Sequence, residues 1–329
     1  MASLQPIALV TGADGFIGRF VSAGLANAGW RVRRAIRSIP SGRLDADTFV
    51  GRELSLSTEW QDALADVQVV VHTAARAHLP AHVQASERDL YMSVNVDGTL
   101  HLARCAANAG VRDFVFLSSI AVNGSTTDHR SPFTEIDILS PVNVYGQSKA
   151  AAEVGLAELS ASMAIRVTAI RPPMIYGSGA RGNFRRLAMA VKAGVPLPFG
   201  LIRNRRAFLG VDNLVSFILH RLNTAGGSHF ETFLVADALP LSTPAFVREL
   251  GRVLERPARL FPFPVPLLRA ALSPLSLGDA LISSLELDTS RARATGWHPE
   301  IDLAEGLVRA IKGLAPKRGV LDDNTMPPR

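Results

Sequence analysis

Residues 7–18 read Ile7-Ala8-Leu9-Val10-Thr11-Gly12-Ala13-Asp14-Gly15-Phe16-Ile17-Gly18, a short apolar run that meets glycines at 12, 15 and 18. Apolar residues in unbroken succession fit a strand covered on both faces, as at the centre of a parallel sheet. Past the turn, Ile17, Val21, Gly24 and Ala28 recur near the helical period and stop at Gly29, a helix-ending residue. A strand, a glycine turn and a helix start together make a site for a dinucleotide. Its pyrophosphate must approach backbone N–H groups closely, and the helix dipole favours its charge. Gly12 makes the tight turn, Gly15 admits the pyrophosphate and Gly18 lets helix and strand pack. Gly12, Gly15, Phe16, Ile17 and Gly18 are the cofactor-binding residues this predicts.

Outward from that turn, strands are expected at 31–36, 67–72, 113–118 and 165–170, with helices near 91–109 and 146–162. The alternation predicts an α/β fold, a Rossmann-type doubly wound parallel sheet. After about Pro172, prolines and glycines become frequent and the alternation weakens. A dinucleotide-binding domain over 1–175, a smaller mixed α/β substrate domain over 176–315 and a polar tail over 316–329 are expected. Residues 208–222 read as a helix and 230–235 as a strand, elements that return to the first domain from about 208–236. The proline-rich apolar stretch 261–277 reads as a wrapping segment, with contact to a membrane or partner as the alternative.

The chain of 329 residues is 47% hydrophobic and 19% charged, which excludes disorder and a disulfide-stapled miniature fold. Its one cysteine, Cys105, fits a reducing compartment, and no apolar run reaches the roughly 18 residues of a spanning helix. A cytoplasmic protein without a membrane span is expected. Lys and Arg number 35 against 29 Asp and Glu, but the excess is dispersed and aromatic residues are 6%, so a nucleic-acid partner is not expected. Only four lysines occur, Lys149, Lys192, Lys312 and Lys317. The densest cationic groups, Arg31, Arg33, Arg34 and Arg37, then Arg203, Arg205 and Arg206, are each expected to face a phosphate of a small ligand.

The second strand bears on the cofactor. NAD sites usually end it with an acid for the ribose 2′-OH, whereas this chain reads Arg33-Arg34-Ala35-Ile36-Arg37-Ser38. Arg37, helped by Arg33 or Arg34 and Ser38, is expected to neutralise a 2′-phosphate, which leans towards NADP over NAD. Glu53 and Leu54 are placed to flank the adenine.

Tyr145-Gly146-Gln147-Ser148-Lys149 puts a phenol and an ammonium one helical turn apart. A lysine cation, a nicotinamide charge and a helix N-terminus each favour phenolate, bringing tyrosine towards working range. The apolar strand Phe114-Val115-Phe116-Leu117 ends in Ser118-Ser119, about 26 residues before the tyrosine. A serine there lies where α/β sheets bind ligands and can donate to a substrate oxygen. His72, His78 and His82 lack partners at ligand spacing, so no metal is expected; His72 reads as packed beside the cofactor. No nucleophile elbow of the hydrolase type is present.

These pieces resemble the extended short-chain dehydrogenase/reductases, the nucleotide-sugar epimerase/dehydratase family. The matching stretches are Thr11 to Gly18, Val69-Val70-Val71-His72-Thr73-Ala74-Ala75, Asn95-Val96-Asp97-Gly98-Thr99, Ser118-Ser119, Tyr145 to Lys149, Arg171-Pro172-Pro173-Met174-Ile175-Tyr176-Gly177 and Gly296-Trp297-His298-Pro299. The resemblance implies Ser119, Tyr145 and Lys149 as catalytic residues, with Ala74, Lys149 and Pro172 at the cofactor. It also implies a UDP-linked sugar substrate and a homodimer formed by helices near 91–108 and 146–162. Within the family the chain looks most like bacterial 4-ketoreductases that make UDP-N-acetylquinovosamine from UDP-4-keto-6-deoxy-N-acetylglucosamine for surface polysaccharides. Val122-Asn123-Gly124, Arg181-Gly182-Asn183-Phe184 and Ile202-Arg203-Asn204-Arg205-Arg206 carry that likeness, which implies Asn183 and Arg206 at the nucleotide diphosphate and Ser119 at the sugar. A 4-epimerase of the UDP-glucose or UDP-N-acetylglucosamine type with retained NAD is the alternative, and a non-enzymatic dinucleotide-sensing or interaction protein the second.

Overall fold

The computed structural model describes residues 5–38, 46–51, 53–77, 81–224, 227–272 and 278–314. Seven parallel strands form its centre in the order β3-β2-β1-β4-β5-β6-β9. They are β1 (Ile7–Thr11), β2 (Arg31–Ile36), β3 (Thr48–Val50), β4 (Val67–His72), β5 (Asp113–Leu117), β6 (Arg166–Arg171) and β9 (Phe230–Leu234). β7 (Met174–Tyr176) and β8 (Phe208–Gly210) pair in parallel as a separate ribbon.

The central strands are apolar throughout because both faces are covered. One face packs on helices Phe16–Asn27 and Val211–Asn223, with Val21, Leu25, Leu214, Phe217 and Trp297 in the core. The other packs on helices Gly98–Asn108 and Val144–Ser162 through Leu102, Ala106, Ala152 and Leu156. A third core joins Tyr176, Phe184, Phe246 and Leu250 beyond the sheet. The strand order reverses between β1 and β4, and ligands of open parallel sheets bind at the carboxyl ends of strands at such a point.

The α/β expectation holds, with differences in detail. The segment expected as one helix over 208–222 opens as β8, because Phe208 stacks on Phe246 at 4.1 Å and Phe208–Gly210 pairs with Met174–Tyr176 before helix Val211–Asn223 begins. The expected helix over 91–109 is divided into Arg88–Met92, a π-helical turn Ser93–Asp97 and Gly98–Asn108. In the 261–277 stretch, Phe263, Val265 and Leu272 pack against the third core, while Phe261 and Leu267 stay exposed. Residues 273–277, His78 and the expected tail lie outside the described residues, and His82 is described only as backbone of helix Ala81–Ser86.

Candidate active site

The glycine turn leaves β1 at the strand-order reversal. Gly12 has φ +65°, and a Cβ there would lie 2.9 Å from Ala74 Cα, so the turn and the chain leaving β4 touch backbone to backbone. A Cβ on Gly18 would meet the Gly12 carbonyl oxygen at 2.1 Å, so the helix sits directly on the turn. No side chain caps helix Phe16–Asn27, and its first turn closes with Arg19 N–H donating to Gly15 O at 3.2 Å. The N–H groups of Phe16, Ile17 and Gly18 are thereby the ones a ligand can take. The Phe16 and Ile17 side chains pack into the apolar cores, so their role at the turn is a backbone role.

A cavity of about 230 Å³ opens beside this turn, lined by Gly12, Asp14, Gly15, Ile36, Arg37, Glu53, Leu54 and Ala74 among others. An uncapped helix start, a glycine cradle and a half-apolar wall fit the diphosphate and adenosine parts of a dinucleotide. Of the second-strand arginines, only Arg37 lines the cavity. Arg31 pairs with Asp47 at 2.7 Å, Arg33 donates to the carbonyls of Asp62, Ala63 and Ala65, and Arg34 donates to Thr48 Oγ1 at 3.0 Å. The expectation that the whole cluster faces a phosphate is corrected for Arg31, Arg33 and Arg34, which a carboxylate, carbonyls and a hydroxyl of neighbouring segments hold.

Helix Val144–Ser162 starts against the end of β5. Asn143 caps it by accepting from Gly146 N–H at 2.7 Å, and a Cβ on Gly146 would meet Ala121 O at 2.6 Å. That close approach brings Tyr145 to Ser119, whose hydroxyl favours the ionised phenol. Ser119 Oγ also accepts from Ala121 N–H at 3.2 Å, which fixes its rotamer. Burial pushes the Tyr145 phenol up to about 12, with the Ser119 hydrogen bond working against it and Tyr91 with it.

Lys149 is 2% exposed; its Nζ donates to Leu117 O at 2.8 Å and stands 4.4 Å over the Phe116 ring. Burial lowers it to about 7, and the Glu153 carboxylate opposes that fall. The phenol is thus set by burial, Ser119 and Tyr91, while the Lys149 ammonium donates to the β5 carbonyl. His72, stacked on the same Phe116 ring, bridges Thr11 and Thr99 through its two ring nitrogens at 2.7 and 2.9 Å. Burial first, and Lys149 second, push it down to about 3, so it stays neutral.

Residues 8–236 match the model of the NAD dependent epimerase/dehydratase family. The chain belongs to that family. A UDP-glucose 4-epimerase from Vibrio cholerae is 36% identical over 304 residues, 91% of this chain and 92% of its own length. An N-acetyl-alpha-D-glucosaminyl-diphospho-ditrans,octacis-undecaprenol 4-epimerase from Escherichia coli O157:H7 is 29% identical over 76% of this chain and 78% of its own. Among solved structures, MoeE5 in complex with UDP-glucuronic acid and NAD is 25% identical with a TM-score of 0.76, covering 93% of this chain and 98% of MoeE5.

The remaining expected residues fall as follows. Pro172 is buried and its carbonyl accepts from Ile120 N–H at 3.0 Å, joining the end of β6 to the turn after Ser119. Asn183 opens helix Asn183–Ala193, behind Gly182 at φ +70°. Arg206 is 7% exposed and its guanidinium donates to Ser283 O at 2.6 Å, while Arg205 pairs with Glu286 at 2.7 Å. Arg205 and Arg206 thus each have a partner within the protein, and Arg203 is exposed.

Five residues of the site carry roles the sequence reading did not assign. Asn95, on the π-helical turn, accepts from Arg76 N–H at 2.8 Å, donates to Arg76 O at 3.0 Å and donates to Ser148 Oγ at 2.9 Å. It ties the cavity wall to the helix of Tyr145 and Lys149. Glu153, Arg171 and Ser118 form a buried network behind them. Arg171 Nη2 donates to Glu153 Oε2 at 2.5 Å, and the Ser118 hydroxyl donates to Glu153 Oε1. Asn123 belongs here too, accepting from Arg171 Nη1 at 3.1 Å and donating to Thr134 O at 2.9 Å. A carboxylate four residues after Lys149, alone in the apolar run Ala150-Ala151-Ala152-Glu153-Val154-Gly155-Leu156-Ala157, was the available signal for Glu153.

Proposed function

We propose that this chain is a nucleotide-sugar 4-epimerase, acting on C4 of a UDP-linked glucose or N-acetylglucosamine with retained NAD. The observation that carries the reading is the hydroxyl pair Tyr145–Ser119, set beside buried Lys149 at the carboxyl end of β5 in a family member with the glycine cradle intact. The 36% identity to a UDP-glucose 4-epimerase over 91% of the chain supports the substrate class. The turn of Gly12, Gly15 and Gly18, with Arg37, Glu53 and Leu54 about the adenosine, would hold the dinucleotide, whose nicotinamide would supply the hydride acceptor and donor for C4.

The protein's part is proton transfer and placement. Tyr145 accepts the C4 hydroxyl proton as that carbon is oxidised and returns it as the carbon is reduced, while Ser119 donates to the same oxygen as charge develops. A phenol near 12 is a poor base at neutral pH, so the step waits until positive charge enters beside it. Lys149, in its charged form, anchors the ribose. Asn183 and Arg206 are proposed at the nucleotide diphosphate. A homodimer through helices Gly98–Asn108 and Val144–Ser162 belongs to the same proposal, with Val154 52% exposed on the second helix.

Arg37 favours a second reading. A cation lining the cavity where an acid usually holds the 2′-OH suits NADP and a cofactor released each turnover, as in a UDP-4-keto-6-deoxy-N-acetylglucosamine reductase. The buried pairing of Asn123 with Arg171 weakens the other motif behind that reading, since the side chain is taken up internally. Purified protein is given UDP-glucose and UDP-N-acetylglucosamine without added cofactor, and the sugar is followed by NMR. Formation of the C4 epimer is expected. Its absence, together with stoichiometric consumption of NADPH on the 4-keto substrate, replaces the epimerase by the reductase.

A further inference from the structure

Two stretches of the chain are free of carboxylates: residues 159–211 and 256–278 contain no Asp or Glu. The fold brings parts of them together. Arg256 packs over Gly194, where a Cβ would lie 2.9 Å from its guanidinium. Leu197 N–H donates to Arg259 O at 2.7 Å, Phe261 N–H to Leu197 O at 3.0 Å and Gly200 N–H to Phe261 O at 3.0 Å. On the surface so formed, Lys192, Arg203, Arg256 and Arg259 are exposed, and neither stretch supplies an acid to neutralise them.

Apolar side chains are exposed among these cations. Val195, Leu201 and Phe261 reach solvent, Leu201 at 47%. Helix Val265–Leu272 follows directly. Val265, Leu268 and Leu272 take its inner side into the third core, which leaves Pro266, Leu267, Ala270 and Ala271 outward with a single charge, Arg269. That charge is itself turned to the protein, donating to Ser283 Oγ at 2.9 Å. The outward side of a surface helix is ordinarily polar. Here it is apolar, with Leu267 60% exposed, and it adjoins a cationic strip.

We propose that this face docks on an anionic lipid surface, with Leu201, Phe261 and Leu267 entering the headgroup boundary and Arg203, Arg256 and Arg259 meeting lipid phosphates. Charge selects this occupant. A second copy joined through the same patch by a two-fold axis would set arginine against arginine, whereas an anionic bilayer complements the cations and the apolar side chains together. The docking is independent of the chemistry proposed at C4.

The test floats the full chain with vesicles of phosphatidylcholine alone and with vesicles that also hold about 30% phosphatidylglycerol. Retention on the anionic vesicles only is expected, and its loss as NaCl rises from about 50 to about 500 mM. Leu267→Ser and Arg259→Glu, both at exposed positions, are each expected to cut the bound fraction by about threefold or more with circular dichroism unchanged. Leu201→Ser, on the other stretch, probes the same face independently and is expected to act in the same direction. No retention on anionic vesicles overturns the proposal, and so does equal retention on neutral ones. Retention that none of the three substitutions reduces overturns it too, since the lipid contact then lies on another face. Mass that grows with protein concentration in sedimentation and is abolished by Leu267→Ser, while vesicles retain nothing, replaces the membrane by a second copy.

Discussion

Arg171 closes β6, and Asp237 lies three residues beyond the end of neighbouring β9, yet the carboxylates at these two places are handled differently. Glu153, behind the site, is met by a guanidinium and a serine hydroxyl. Asp237 is met by neutral donors: Tyr176 hydroxyl at 2.8 Å, Asn213 Nδ2 at 2.7 Å and Gly210 N–H at 3.1 Å. Burial raises the Asp237 carboxyl above its ordinary range, and those three hydrogen bonds only partly counter it. A full counter-charge fixes the field where the chemistry is proposed. Neutral donors suffice where the task is to join β8, β9 and, through Asn213 to Ile301 O at 2.8 Å, the C-terminal segment. The first network is an ion pair behind the proposed chemistry, and the second is a joint of neutral donors on a carboxylate.

The largest effect that tests this contrast is on turnover. Tyr145 and Tyr176 are both tyrosines near a buried network, but only Tyr145 meets Ser119. Tyr145→Phe is expected to reduce kcat by about 10²–10⁴-fold with NAD affinity unchanged by calorimetry. Tyr176→Phe is expected to leave kcat within about threefold in the same assay. Equal losses in the two variants would erase the distinction between them.

Stability comes next. Arg171→Met leaves Glu153 as an uncompensated buried charge and is expected to cost about 3–5 kcal/mol in urea unfolding, most of it regained when Glu153→Gln is added. On the other side, Tyr176→Phe removes one neutral donor from Asp237 and is expected to cost about 1–3 kcal/mol, with no partner substitution that restores it so fully. If Arg171→Met proves the milder of the two, the ion pair is not the stronger constraint.

What the sequence revealed follows the same line between local and distant causes. The turn at Gly12 and Gly18 was legible because the backbone itself demands glycine: a positive φ at one and a carbonyl 2.1 Å from a missing Cβ at the other. Tyr145 and Lys149 were legible because one helical turn is a fixed spacing. The fates of Arg31, Arg33 and Arg34 were not, since their acceptors lie 14 to 32 residues away and any exposed arginine on a strand reads alike. Nor was the direction of Lys149, whose acceptor is a main-chain carbonyl on β5, 32 residues earlier. The hidden strand Phe208–Gly210 turned on a stacking contact with Phe246, which no local pattern encodes.

The smallest predicted effect is a pH dependence that belongs to Asp237 alone. Its folded pKa lies above the unfolded one, so the folded state binds more protons in the interval between them, and stability from this group is full below about pH 4 and lost as pH rises through the folded value. Asp128, Asp137 and Asp288 have the opposite sign, their folded values being lowered, so they lend stability at neutral pH that is lost in acid. The whole-protein curve therefore mixes both directions. Subtracting the unfolding free energies of Asp237→Asn from those of the native chain, point by point from pH 4 to 7, removes every group except Asp237. That difference is expected to fall as pH rises, by about 1.4 kcal/mol for each unit separating the two pKa values. A difference that stays flat would mean that the neutral donors match a counter-charge after all, and the two carboxylates would then be held by equivalent means.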